Sequence, residues 1–322
     1  MQTVKRLVTA LLTLLLLAEM IPLAGAAGAP TSGLSISPTL SQFTLSPGQS
    51  TTVNITLKNA TNGQITAQGT VNDFTSDGTT GNPKILTQPG ETSNNSIKKF
   101  VNNLANVPLD AGQQKAFSVT VQVPKNTSPG AYYGIIRYRA VPAGANAPAP
   151  GQVALTASVG TIVLITVPGN LRELVQLADI HVYRGAQDST FFVKKPTKVG
   201  IEIRNFGNGF EKPYGSVVIQ NMFGKQVDSY QFNNPKQLGN VLPNSTRIFT
   251  SNISGIGQIG RYTVLASTSY GDGSNVLASK KVFWYIPYWL ILAVLILLAG
   301  LILLTIRLYL RYRRDSNHAH KR

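Results

Sequence analysis

"KAFSVTVQVP", residues 115–124, alternates Phe117, Val119, Val121 and Val123 with smaller or polar partners. A period of two puts all four apolar side chains on one face of an extended chain. A helix gathers its apolar residues at steps of three and four and would scatter these. The stretch is therefore read as a strand with one face buried and one wet. The same pattern recurs on both sides. "TTVNITLKN" (51–59) sets Val53, Ile55 and Leu57 against polar neighbours, and "AYYGIIRYRAV" (131–141) and "VALTASVGTIVLITV" (153–167) follow. Turn signals punctuate the series at Ser46-Pro47-Gly48, Thr61-Asn62-Gly63, Asp77-Gly78 and Ser128-Pro129-Gly130.

A second series begins after "PGNLREL" (168–174). Its strands are "LADIHVY" (177–183), "TKVGIEIRN" (197–205), "YGSVVIQN" (214–221), "KQVDSYQF" (225–232), "TRIFTS" (246–251), "GRYTVLASTSY" (260–270) and "VLASKKVFW" (276–284). Met222-Phe223-Gly224-Lys225 reads as a hairpin connection. Between the two ends of the chain no stretch sustains a helical period. The expectation is an all-β protein: two tandem immunoglobulin-like β-sandwiches, at 27–168 and 169–283, with an N-terminal signal peptide and one C-terminal transmembrane helix.

Two polar stretches interrupt the first series. "PAGANAPAPGQ" (142–152) lies between strands that both look core-forming, so it is expected to be a long hairpin loop and not a domain boundary. "TSDGTTGNPKILTQPGETSNNSIKKF" (75–100) is a longer excursion, open to two readings: a binding loop or a tolerated insertion.

The N-terminus has a basic start (Lys5, Arg6), an apolar run from Leu7 to Leu17 and small residues at Ala24-Gly25-Ala26. This predicts a secretory signal cut after Ala26. The competing reading, a retained membrane helix, meets Glu19 and Pro22 inside its apolar stretch. Near the C-terminus residues 288–306 carry no charge. As a helix they would run about 28 Å, close to the thickness of a bilayer's hydrocarbon core. Trp284, Tyr285, Tyr288 and Trp289 sit upstream, where amphipathic rings favour the membrane–water boundary. Pro287 suits a first helical turn. Arg307, Arg311, Arg313, Arg314, Lys321 and Arg322, opposed only by Asp315, predict a cytoplasmic tail that meets anionic headgroups. The expected partition is a span at 284–306, a basic tail at 307–322 and the bulk of a single-pass cell-membrane protein outside the cell.

Charge and composition narrow the chemistry. The chain has 29 Lys and Arg against 13 Asp and Glu, no cysteine and three histidines. Disulfides, thiolate metal sites and cysteine nucleophiles are excluded, and so few histidines make no histidine-rich metal site. Without the leader and tail, 21 basic and 11 acidic residues remain, a balance near +10. An exported surface of that sign favours anionic envelope polymers. Lys98, Lys99, Lys194, Lys195 and Lys198 are the candidate polymer contacts. General acid–base work needs a poised histidine or carboxylate pair. His181 lies mid-strand in "DIHVY" and reads as structural, and neither nucleophile elbow, phosphate loop nor zinc-protease motif is present. Arg137 and Arg139 alternate with Ile135 and Tyr138, which a strand explains without nucleic acid. The expectation is no enzyme, no cofactor and no nucleic-acid partner.

"SPTLSQFTLSPGQSTTVNITLKNATN" (37–62) and "VPLDAGQQKAFSVTVQVPKNTSPGAYYGIIRYRAV" (107–141) resemble the first domain of the WxL-interacting cell-surface proteins of Gram-positive bacteria. "IEIRNFGNGFEKPYGSVVIQNMFGKQV", "VLPNSTRIF" and "GRYTVLASTSYGDG" resemble the second immunoglobulin-like domain of that architecture, and the order of parts is similar as well. The resemblance implies a membrane-tethered scaffold that binds cell-wall polymer or another surface protein. The alternative is a membrane-anchored, chaperone-like factor for export or assembly of surface subunits, motivated by turns like those of pilus chaperones.

Overall fold

Strand alternation decides which side chains enter each core. The structure, a computed structural model, describes residues 33–88, 90–102, 104–142, 158–234 and 238–319. The expected signal peptide and nearly all of the 142–152 connection lie outside the described residues. The first unit comprises β1 (Leu34–Ser37), β2 (Leu40–Thr44), β3 (Ser50–Asn59), β4 (Ile65–Asn72), β5 (Phe74–Ser76), β6 (Pro83–Ile85), β7 (Val101–Asn102), β8 (Val107–Leu109), β9 (Gln114–Gln122), β10 (Gly130–Pro142) and β11 (Ser158–Val167). One sheet has the order β1-β3-β9-β7 and the facing sheet β2-β11-β10-β4-β8. Val53, Ile55 and Leu57 from β3 and Val119 and Val121 from β9 meet Ile136, Tyr138, Val163 and Ile165 between the sheets. Each such fully buried aliphatic side chain contributes about 1.5–3 kcal/mol.

The second unit comprises β12 (Val175–Arg184), β13 (Gln187–Asp188), β14 (Phe191–Phe192), β15 (Lys198–Asn205), β16 (Tyr214–Asn221), β17 (Gln226–Phe232), β18 (Ser245–Asn252), β19 (Gly260–Tyr270) and β20 (Asn275–Tyr285). Its sheets run β13-β12-β15-β18 and β14-β20-β19-β16-β17. The fold is all-β, two sandwiches followed by one apolar helix, α1 (Tyr288–Ala319). Each sandwich closes in the same way. The leading strand splits, its first half pairing antiparallel with the next long strand (β1 with β3, β12 with β15). A later piece crosses to the other sheet and lies parallel to the last strand (β2 on β11, β14 on β20).

β10 and β11 pair antiparallel from Gly130–Val167 to Arg139–Ser158, so the chain returns to the same sheet after the 142–152 stretch. The helix starts later than the expected 284. Trp284 pairs with Arg261 on one side and Phe191 on the other, and the Ile286 amide still donates to the Phe192 carbonyl (2.9 Å). The ladder holds the chain extended until Pro287, whose missing N–H costs nothing at a helix start.

The 75–100 excursion turns out to serve the fold. β5 and β6 form a hairpin whose tip reaches the second sandwich. The Ile248 amide donates to the Thr79 carbonyl (2.6 Å), and Ser76 Oγ donates to the Thr246 carbonyl (3.2 Å), both on β18. Asp77 shapes the tip: its carboxylate accepts from the Thr79 and Gly81 amides (3.0 and 2.9 Å) and from the Thr80 hydroxyl. The Thr80 hydroxyl, with the amides and against the pull of burial, holds the Asp77 carboxyl down at about 2. Beside the hairpin, Phe74, Tyr133, Ile135 and Leu164 of the first sandwich pack with Phe210 and Leu242 of the second. The Ala131 amide adds a bond to the Asn208 carbonyl (2.8 Å).

Candidate binding surfaces

The sheet containing β9 leaves a strand edge open. One side of β9 is fully paired with β3, from Ser50–Gln122 to Lys58–Gln114. The other side meets β7 only at Thr120 and Val121 among the described residues. The Gln122 amide faces that sparse side, donating to the Phe100 carbonyl (2.8 Å), whereas the Val123 amide faces β3 and donates to Gln49 (2.9 Å). By alternation the backbone groups of Gln114, Ala116 and Ser118 also face the open side. Their side chains lie on a polar outer surface with Thr52 and Asn54, where Ser118 Oγ donates to Asn54 Oδ1 (2.7 Å).

A cleft of about 420 Å³ opens where the sandwiches meet, walled by Leu40, Phe74 and Leu164 on one side and Val241, Leu242 and Arg247 on the other. Arg247 is already engaged. It donates to the Asn240 carbonyl (2.9 Å) and lies 4.9 Å over the Phe249 ring. Burial lowers its basicity and the nearby Asp77 charge opposes that. The guanidinium therefore works as a wall of the junction.

The five candidate lysines fall into two groups. Lys98 and Lys99 lie just before β7, and Lys98 is paired with the buried Asp73 carboxylate (3.1 Å). Lys194 and Lys195 follow β14, and Lys198 opens β15, at the end of the second sandwich remote from the junction. The length of β12, roughly 30 Å at about 3.3 Å per residue, separates that end from the junction. No single patch gathers all five. Arg307 and Arg311 lie on α1, and Arg313 and Arg314 fall in its last turns. Tyr288 and Trp289 open the helix, while Trp284 belongs to β20.

His181 is held between two carboxylates, its Nδ1 2.6 Å from Asp188 Oδ2 and its Nε2 2.8 Å from Glu202 Oε2. Burial disfavours its charged form, but the two carboxylates outweigh burial and raise its pKa above the ordinary value. The imidazole thereby ties β12 to Asp188 of β13 and Glu202 of β15. Beside it Lys281 bridges both oxygens of Asp179 (2.9 and 3.0 Å). Among the described residues no His, Asp and Glu group is arranged to hold a metal ion. The segment Tyr288–Arg311, 24 residues whose most apolar 18-residue window has a mean hydropathy of 3.0, is long and apolar enough to cross a membrane, and that window is unburied by the rest of the chain.

No protein-family model matches the chain, and no curated protein matches its sequence. Among solved structures, it is similar to the YadV chaperone at 12% identity and a TM-score of 0.34, covering 78% of this chain and 100% of that one. It is similar to the Pseudomonas aeruginosa CupB2 chaperone at 11% identity and a TM-score of 0.36, covering 77% and 100%. It is also similar to the E. coli chaperone DraB at 13% identity and a TM-score of 0.34, covering 79% and 97%. Likeness this distant carries no argument about function.

Proposed function

We propose that the chain is a non-enzymatic, membrane-anchored extracellular binding protein whose first sandwich captures an extended segment of a surface protein by strand addition. The observation that carries this reading is the open side of β9, where the backbone of Gln114, Ala116 and Ser118 has no strand partner among the described residues. Unpaired ladder groups are a template for another strand, with main-chain bonds giving affinity and outward side chains giving selectivity. The helix tethers the second sandwich, and the hairpin clasp holds the first in a fixed pose above it. The resemblance to WxL-interacting proteins points to the same class of role. Capture of cell-wall polymer finds less support, because the candidate lysines are divided between two places and Lys98 is engaged with Asp73.

The alternative, a chaperone-like factor for surface subunits, uses the same edge. Main-chain pairing tolerates varied sequences, which suits a succession of clients. A photo-crosslinking residue at Gln114 of the full chain, in intact cells, is expected to trap a surface protein, with none trapped from Asp272 on the second sandwich. Ala116→Pro removes one outward N–H at an edge, where proline is tolerated, and is expected to abolish the adduct. Adducts that persist with the proline, or arise equally from Asp272, overturn the reading. Deleting the gene separates the alternatives: a chaperone's clients fall in abundance at the surface, a scaffold's partner does not.

A further inference from the structure

The end of the second sandwich from which α1 leaves carries an apolar fringe drawn from separate loops. Register places these loops together. Phe191 pairs with Trp284, Arg261 pairs with Trp284, and Tyr262 pairs with Asn221, after which the turn Met222–Lys225 projects. Phe223, at the apex of that turn, is 82% exposed, and Met222, Phe191, Ile259 and Trp284 are exposed with it. The turn's shape is fixed without help from Phe223's ring: Asn221 Oδ1 accepts from the Phe223 and Lys225 amides (both 3.0 Å). An aromatic residue held out in this way gains nothing from the fold it belongs to.

Basic residues surround the fringe. Lys194 and Lys195 follow Val193 on the loop after β14, Lys225 closes the turn, and Arg261 sits beside Trp284. The acidic side chains at this end are occupied: Asp188 holds His181 (2.6 Å), and Asp228 accepts from the Ser254 and Gly255 amides (2.9 and 3.1 Å). Only Ile286 and Pro287 separate β20 from α1. Three Cα steps reach about 10 Å at most, and the headgroup layer is itself about 5–8 Å deep on each side of the hydrocarbon. A helix that crosses the bilayer therefore brings this fringe down to the lipid surface.

We propose that the α1 end of the second sandwich docks on the phospholipid surface of the membrane its helix crosses, with Met222 and Phe223 entering the headgroup–acyl boundary and Lys194, Lys195 and Lys225 meeting anionic headgroups. This rests on the reading of Tyr288–Arg311 as a span. The rim assigns Lys194 and Lys195 to lipid in place of wall polymer. It gives the sandwich a second attachment besides the helix, fixing its tilt and not only its distance from the bilayer.

The chain has no cysteine, so single labelling sites are clean. The full chain is reconstituted in phosphatidylcholine vesicles with and without phosphatidylglycerol. A fluorophore is placed at Gln226→Cys beside the turn, at Thr52→Cys on the first sandwich, or at Leu297→Cys within the helix. Lipid-borne quenchers are expected to quench the labels at 297 and 226 and to spare that at 52. Met222→Ser with Phe223→Ser leaves the backbone bonds of the turn in place and is expected to cut quenching at 226 severalfold. Lys194→Glu with Lys195→Glu does the same only in vesicles containing phosphatidylglycerol. A label at 226 as open to aqueous iodide as that at 52, while 297 is quenched, overturns the docking and leaves the span standing. Failure of quenching at 297 as well overturns both.

Discussion

Two buried asparagines hold matching corners of the two sandwiches. Asn59 ends β3 in "NATNG", and its amide donates to the carbonyls of Gly63 and Asp110 (both 2.8 Å) while its oxygen accepts from the Thr61 amide (2.9 Å). Asn205 ends β15 in "NFGNG" and repeats the device. It donates to the carbonyls of Gly209 and Val241 (2.9 and 3.1 Å) and accepts from the Gly207 amide (2.7 Å). Asn205→Ala strands the Gly209 carbonyl and the Gly207 amide, at about 1–3 kcal/mol each before relaxation, while the Val241 carbonyl keeps the Glu211 amide (3.1 Å). A loss of about 3 kcal/mol is expected in denaturant titration of the detergent-solubilised chain, and Asn205→Asp should recover little of it because an acid cannot donate twice. His181 makes a pH-dependent contribution. Its folded pKa is raised, so the stabilisation is fully present below the ordinary histidine value and is lost as pH rises through the folded one. Thermal denaturation should show the second sandwich weakening over that rise, and His181→Gln should flatten the slope. The sequence marks His181 as structural but does not name the partners of either residue. "DIHVY" gives His181 a strand and a face, but Asp188 and Glu202 reach it only through pairing of β12 with β13 and β15.

At the scale of elements, most long strands are readable because apolar residues recur in them at a period of two, as Tyr262, Val264 and Ala266 do in β19 and Val217 and Ile219 in β16. "YGSVVIQN" and "GRYTVLASTSY" match β16 and β19 residue for residue. β4 is hidden in the sequence because its two middle inward positions, Ala67 and Gly69, are small. A Cβ at Gly69 would lie 2.8 Å from Leu104 Cγ and 3.0 Å from the Tyr138 ring, so close packing demanded the residue that hides the pattern. β7, β13 and β14 have two residues each, too few for any period to show. The β5–β6 hairpin was visible as a polar stretch and invisible as a clasp, since its key bond joins backbone to backbone across the junction. Gly81 lets it close: its φ is +78°, and a Cβ would lie 2.5 Å from Arg247 Nε. Gly81→Val should pry the tip from β18. Faster protease cleavage in the 168–174 linker is expected, with the unfolding free energy of each sandwich changed by less than about 1 kcal/mol. The open side of β9 could not be foreseen from "KAFSVTVQVP" either, because one strand's pattern does not reveal how many neighbours it acquires.

At the scale of the whole molecule, composition spoke most clearly at the C-terminus, where an apolar run marks a helix without reference to anything else in the chain and the arginines ride on its later turns. It spoke least clearly about the +10 of the intervening part, whose five candidate lysines divide between the approach to β7 and the α1 end. The strand directions of the second sandwich have a mechanical consequence. β12 enters beside the junction at Val175, and β20 leaves for the helix from the opposite end at Tyr285. A pull applied between Val175 and α1 is thus transmitted lengthwise between two strands that exit at opposite poles. The β19–β20 ladder, paired from Gly260–Tyr285 to Tyr270–Asn275, is then loaded in shear, so its bonds share the strain instead of parting one after another. The second sandwich is built to resist traction along its length.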